Sequence, residues 1–228
     1  MAHSASLQTQ LLERMDWLQA FPSTIVAGVD EVGRGALFGP VVAAAVILSA
    51  DAAVQLGEAG VTDSKLLSAE RRLVLAAQIR ASAIAYRVGY ASVREIDRLN
   101  ILQASLLAMK RAVLKLSVTP ELCLVDGNQL IPGLNLPQQT LIKGDQRSLA
   151  IASASILAKV WRDELITRLA NKYPYYHLAA NKGYGTPTHR AALQRHGASP
   201  LHRQSFSPCR SVTEIKEACN PNAETISF

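Results

Sequence analysis

Little in this chain is aromatic, and nothing in it is long and apolar. Phe, Trp and Tyr make up 5% of 228 residues, which leaves aliphatic side chains to build any core. The longest uninterrupted apolar run, Val41–Leu48, has eight residues, against the ~20 that a membrane-spanning helix needs. Glu13, Arg14 and Asp16 precede Trp17 with no apolar stretch before them, so no signal peptide is expected. The three cysteines, Cys123, Cys209 and Cys219, form an odd set without C-x-x-C spacing, which points to reduced thiols rather than a disulfide framework or a zinc site. Internal repeats, low-complexity tracts and long linkers are absent. These absences predict a cytoplasmic, monomeric protein with no membrane association. One domain is expected over residues 23–210, with an amphipathic helical segment over 1–22 packed on it and a loose tail over 211–228.

What is present is an ordinary globular composition, 49% hydrophobic and 18% charged, with a formal charge of +6 that suits a polyanionic partner without proving one. The most informative stretch is Ile25–Pro40. An apolar run ends in Asp30-Glu31, Gly33-Arg34-Gly35 and Gly39 follow, and Pro40 starts a second apolar run. Short apolar runs bounded by Gly and Pro are read as buried strands, here Thr24–Val29 and Val41–Leu48. Asp30 and Glu31 then lie at or just past a strand end, where charge is costly unless paired or metal-bound.

Further along, Asp51–Gly60 is read as a polar surface segment, and Ser68 as the N-cap of a helix over Ala69–Ser82. Ala83–Ser92 is a third strand, Val93–Ile96 the start of a turn, and Ile101–Leu116 a helix. Glu121–Val125 is a strand ending at Asp126-Gly127-Asn128, a turn signal. Leu130–Gln138 is a loop and Gln139–Ile142 a last short strand. A long helix spans roughly 148–171, and a short one runs from about Arg190 to His196.

Three segments therefore place acids after short apolar strands or at a helix entrance: Asp30 with Glu31, Asp126, and Asp145. Neighbouring strand ends lie ~5 Å apart, so carboxylates from them can share a cluster. Like charges that close repel and raise one another's pKa unless a divalent cation neutralises them. Oxygen donors without His or Cys select Mg²⁺ or Mn²⁺. Two such ions ~3.5–4 Å apart support in-line displacement at a phosphodiester. Taken singly, each acid has a plainer account: Asp126 as a turn former, Asp145 as a helix cap. Neighbours in a regular strand also face opposite ways, so Asp30 and Glu31 share a site only if the strand has ended. The glycines are also similar to a dinucleotide fingerprint, with Asp51 further on. That motif opens a helix, however, whereas Pro40-Val41-Val42 opens a β-branched run, and Asp30 and Glu31 would repel a pyrophosphate.

Gly28-Val29-Asp30-Glu31-Val32-Gly33-Arg34-Gly35 resembles the first signature of ribonuclease HII, the bacterial type 2 ribonuclease H family. The likeness continues in order through Gly39–Val46, Asp63-Ser64-Lys65, Val125-Asp126-Gly127, Lys143-Gly144-Asp145 and Ile151–Val160 with Arg162-Asp163. It closes with Tyr173-Pro174, Lys182–Thr186 with His189, and His202-Arg203 before Ser205-Phe206. The resemblance implies an α/β fold of the ribonuclease H-like kind, a five-stranded mixed sheet flanked by helices, with a small C-terminal helical extension. It implies an endoribonuclease acting on RNA–DNA hybrids and on single ribonucleotides embedded in duplex DNA, leaving 5′-phosphomonoesters, with Mn²⁺ or Mg²⁺ as cofactor.

Carried over by position, Asp30, Glu31 and Asp126 match the metal ligands and Asp145 the fourth catalytic acid. Gly33, Arg34 and Gly35 match the loop that reads the 2′-hydroxyl, the group that tells RNA from DNA, and Tyr184 the tyrosine that stacks on the next deoxyribose. Lys65 and Arg34 are phosphate partners on charge grounds. The alternatives are a surface ion pair for Arg34 and a half-buried structural anchor for Tyr184. The chain departs from the family pattern at Ala36, Phe38, Leu66 and Asn181. Ala36 is expected to leave the recognition loop freer, and Leu66 to remove one lysine contact to phosphate.

Overall fold

The 49% hydrophobic content is spent on one sheet covered on both faces. A computed structural model describes residues 25–210; the helix expected over 1–22 and the tail over 211–228 lie outside them. The strands are β1 (Val26–Val32), β2 (Val41–Ile47), β3 (Ala85–Ala91), β4 (Leu122–Asp126) and β5 (Gln138–Leu141). They lie in the order β3-β2-β1-β4-β5. β1–β2 and β2–β3 are antiparallel, while β1–β4 and β4–β5 are parallel. This is the expected five-stranded mixed sheet.

The helices are α1 (Ala50–Glu58), α2 (Ala69–Ser82), α3 (Val93–Leu99), α4 (Ile101–Leu114), α5 (Gly144–Arg147), α6 (Leu149–Ala170), α7 (Leu178–Asn181) and α8 (Pro187–His196). Strand β2 shows how the sheet is used. Side chains alternate along a strand, so Val42, Ala44 and Val46 join the core under α2 and α6, and Val41, Ala43, Ala45 and Ile47 the core under α4. Burial on both faces is why its sequence is a continuous apolar run. Among the described residues no helix is long and apolar enough to cross a membrane.

Four readings need correction. Asp51–Gly60 is not an irregular surface segment: Ser49 caps α1 by accepting from the Ala52 N–H, and Ala52, Ala53 and Leu56 turn inward. Val93–Ile96 is the first turn of α3, held by a capping box between Ser92 and Glu95. Strand β1 does not stop at Val29 but continues to Val32, because β2 keeps pairing with it through Val32↔Val42. Helix α8 also starts three residues early, at Pro187, on the Thr186 cap.

The small C-terminal extension is part of the body. Leu37 and Phe38 from the glycine loop pack with Ile166 of α6 and with Tyr176, Leu178 and Leu193 beyond it. Asp97 of α3 holds the far end, accepting from Ser205 N–H at 3.0 Å and Ser205 Oγ at 2.6 Å.

Helix α6 lies so close to β1 that a Cβ on Gly28 would meet the Ala150 backbone. A backbone cannot move aside as a flexible side chain can. Gly28→Ala should therefore lower stability by about 1–3 kcal/mol, the usual cost of overpacking, measured by urea unfolding; an unchanged midpoint would show that the helix can shift.

Candidate active site

Strand β1 delivers Asp30 and Glu31, and its neighbour β4 delivers Asp126. The parallel register ends at Val29↔Val125, so the next step along both strands sets Asp126 beside Asp30. Asp145 enters from α5 after Lys143, a non-glycine residue with φ 56°, a left-handed conformation that costs free energy and recurs at functional sites. Asp145 is not a helix cap; Lys143 holds that position, and Ser148 caps α6. Asp126 is more than a turn former, since its Oδ1 accepts the Gly144 N–H at 2.7 Å and ties α5 to β4.

All four carboxylates line one cleft of about 470 Å³, together with Ser64, Lys65, Arg72, Ser155, Lys159 and Tyr184. Asp30 and Glu31 both reach it although β1 has not ended: β4 falls away after Asp126, so the strand's last residues have an open edge on that side.

The acids strain one another. Burial, then the charges of Glu31 and Asp126, holds the Asp30 carboxyl well above its usual range, against hydrogen bonds from Ser155 and the Glu31 N–H. Burial also raises Glu31, with Arg34 pulling the other way. Asp145 is raised by burial and by the neighbouring Asp63 and Asp126, with Lys65 opposing. Among the described residues no three His, Cys, Asp or Glu side chains already converge as a preformed metal cage. The donor set is all oxygen and partly desolvated, which fits a hard divalent cation and excludes a soft one.

The other expected residues stand around the cleft rather than all within it. Lys65 and Tyr184 line it; Gly33, Arg34 and Gly35 do not. Arg34 is half exposed and pairs with Glu31 at 3.3 Å, so the expected surface ion pair exists, but its partner is a site carboxylate. Gly33 has φ 88°, and a Cβ there would strike the Arg162 side chain. Around Gly35 a Cβ would meet nothing within 4 Å, so that exposed position is open to a ligand. Tyr184 follows Lys182 (φ 51°) and Gly183 (φ 83°) and pairs with Ala36 in an isolated β-bridge. It has both the cleft position and the anchoring role.

Ala36 does not free the loop, because it is fully buried and held by that bridge. Phe38 fills the extension's core, edge-on to Tyr173 and His202. Asn181 supports the turn before Tyr184, donating to the Tyr176 carbonyl at 2.7 Å and accepting the Gly183 N–H at 2.8 Å. Leu66 is exposed.

Sequence reasoning missed four side chains. Ser155 links Asp30 to Ser64, whose Oγ lies 2.9 Å away. Asp63 faces Asp145. Lys159, ion-paired with Asp163 at 3.0 Å, stands 5.5 Å from the Tyr184 ring centroid. Arg72 bonds the Ser64 carbonyl at 2.8 Å. The spacing of Ser155 and Lys159, four apart on one helix face, was the available signal.

A family model described as Ribonuclease HII matches residues 27–209. A Ribonuclease HII of Acaryochloris marina is 66% identical over 186 residues, covering 82% of this chain and 94% of that one. A Ribonuclease HII of Trichormus variabilis is 61% identical over 204 residues, covering 87% and 91%. Among solved structures, the ribonuclease H2 from Pyrococcus horikoshii superposes with a TM-score of 0.72 at 26% identity, covering 83% of this chain and 97% of that chain.

The strained carboxylates make a stability prediction. A carboxyl whose folded pKa lies above its unfolded value destabilises the fold as pH rises through that window, because the native state holds the proton longer. Asp30→Asn keeps an oxygen acceptor and removes the charge. Without divalent ions it should be more stable than wild type at pH 7 by roughly 1–3 kcal/mol, the cost of an uncompensated buried group, and the difference should shrink toward pH 4. A less stable Asp30→Asn at pH 7 would show that the charge is compensated within the protein.

Proposed function

Because the chain belongs to the ribonuclease HII family, we propose that it cleaves RNA in RNA–DNA hybrids and at single ribonucleotides embedded in duplex DNA. Membership makes it an endoribonuclease of the ribonuclease H class, a hydrolase; substrate range, ligand set and mechanism are our reading. The observation that carries it is the convergence of Asp30, Glu31, Asp126 and Asp145 on one cleft beside Tyr184.

Asp30, Glu31 and Asp126 would hold divalent cations, Mn²⁺ or Mg²⁺. Two bound ions would lower the pKa of an attacking water and stabilise charge on the scissile phosphate and leaving oxygen, giving a 5′-phosphate. The protein's own groups do the rest. Ser155 and the Glu31 N–H both hold the Asp30 carboxylate, which lines the cleft. Asp145, raised by burial beside Asp63 and Asp126 and lining the same cleft, would pass its proton to the leaving 3′-oxygen and take one back from water. Lys65, Lys159 and Arg72 line the same cleft and supply positive charge for the phosphates on either side of the cut.

Discrimination falls to the loop. Gly33 and Gly35 let main-chain groups approach a sugar closely, and the 2′-hydroxyl can both donate and accept there. Tyr184 offers an apolar ring face that accepts a deoxyribose and leaves no partner for an additional hydroxyl.

Cleavage 5′ to a single ribonucleotide in duplex DNA should need Mn²⁺ or Mg²⁺ and disappear in Asp30→Asn. Gel assays with wild-type levels of product in EDTA, or from Asp30→Asn, would sink the mechanism. Tyr184→Ala should cut activity at a single embedded ribonucleotide by about 10-fold or more, the scale of one lost stacking contact of ~1–3 kcal/mol, and reduce long-hybrid cleavage less. Equal losses on the two substrates would remove Tyr184 from junction reading.

A further inference from the structure

The sequence motifs include two histidines that the proposed chemistry leaves unused. His189, on α8, and His202, beyond it, are fully buried. Their Nε2 atoms lie 3.0 Å apart. His202 Nδ1 receives the Ser199 N–H at 2.9 Å, and His189 Nδ1 lies 2.9 Å from the Tyr184 carbonyl oxygen.

Ser199 Oγ, 2.8 Å from His202 Nδ1, can donate or accept, so the backbone N–H sets the tautomer. A backbone N–H can only donate, so His202 Nδ1 is an acceptor and a neutral His202 carries its hydrogen on Nε2. That hydrogen faces His189 Nε2, which must accept it. His189 therefore carries its hydrogen on Nδ1, aimed at the Tyr184 carbonyl, which can only accept. The chain from Ser199 N–H to Tyr184 C=O is satisfied at each link only when both rings are neutral. Burial keeps them so, lowering His189 and bringing His202 down to about 3.

The relay also closes a circuit around the glycine loop. Ala36 is bridged to Tyr184 and Phe38 to His202. The imidazole pair joins the far ends of those bridges, tying Tyr184 to the loop through two routes.

We propose that His189 and His202 are positioning residues for Tyr184, setting its ring against the Gly33–Gly35 loop so that the two act together at the RNA-to-DNA junction. This rests on the reading of Tyr184 given above, and the experiment separates the two. Kinetics on a single embedded ribonucleotide and on a long hybrid are compared for Tyr184→Ala, His189→Leu, His189→Asn and Tyr176→Phe. His189→Asn retains an amide donor for the Tyr184 carbonyl. Tyr176→Phe removes a buried bond to the Gly197 carbonyl in the same cluster and leaves the relay intact.

His189→Leu should lose about 10-fold in kcat/KM at the single ribonucleotide, chiefly through KM, the scale of one lost buried hydrogen bond, since the Tyr184 carbonyl keeps the Thr186 N–H at 2.8 Å, with under about 2-fold loss on the long hybrid. His189→Asn should recover most of that loss, and Tyr176→Phe should leave the ratio of the two substrates unchanged. A shifted ratio in Tyr184→Ala with an unshifted one in His189→Leu overturns the relay alone. The same shift in Tyr176→Phe reduces it to general packing and also overturns it. An unshifted ratio in Tyr184→Ala overturns the junction reading and, with it, the relay's role in discrimination. Imidazole ¹⁵N NMR of the wild-type chain tests the relay even if His189→Leu does not fold. The expected signature is Nδ1–H on His189 and Nε2–H on His202, and the opposite tautomers or a charged ring at pH 7 overturn it.

Discussion

Two buried arginines without a carboxylate partner hold the functional loop in place. Arg162 and Arg203 are both 0% exposed, and among the described residues neither forms an ion pair within 4 Å. Their donors go to backbone carbonyls instead. Arg162 bonds Phe38, Pro40 and Lys182; Arg203 bonds Gly33, Arg34 and Gly39. A buried cation is expensive to desolvate, and burial with the nearby Arg162 brings Arg203 down to about 9. A loop that turns this sharply also leaves carbonyls facing inward with no strand to pair them, and those cannot stay unsatisfied. Each deficit supplies what the other lacks. Because Arg162 comes from α6 and Arg203 from the C-terminal extension, the loop has its shape only when the whole domain is folded.

That dependence separates two kinds of precision within a few residues. Three of the carboxylates sit on β1 and β4, at the middle of the sheet, and Asp145 on α5, and their charges oppose one another there. The Gly33–Gly35 turn carries no apolar side chain of its own, and Arg203 holds it through hydrogen bonds to the Gly33 and Arg34 carbonyls. Chemistry with metal ions tolerates a site that is strained until its ligand arrives, since binding the native state returns the lost stability. Reading a 2′-hydroxyl needs donors and acceptors already in position. The fold gives each task the support that suits it.

The elements legible in the sequence were those whose signals are local. β2 showed itself as an apolar run, α2 by the Ser68 cap, and the end of β4 by Asp126-Gly127. The misses came where tertiary pairing decided. Nothing in Val29–Val32 announces that β1 runs three residues longer, because that length is set by β2 across the sheet. The α1 segment is short and built mostly of small and polar residues, and its start rests on the single Ser49 cap. The four acids were legible as candidates but not as a cluster: only the register of β1 with β4, and the Gly144 bond to Asp126, bring them together. The two arginines could be seen as motif residues and could not be assigned, because most of their partners are backbone carbonyls far along the chain; His189 and His202 could not, because only the fold brings their two rings together.

The Arg34–Glu31 pair joins the two halves of the site and shows how loosely they need to be joined. Arg34 is half exposed and sits 3.3 Å from Glu31, so the pair belongs to the solvent-screened class worth about 0–1 kcal/mol. Against that stands the burial cost that raises Glu31, which one screened arginine only partly offsets. A divalent cation among the acids would satisfy Glu31 far better than Arg34 does. Arg34 would then be free to turn to a phosphate at the loop. Under the proposed function a weak pair suits both residues: an ion pair strong enough to fix them would hold Arg34 on Glu31 and occupy an oxygen that a bound cation would need.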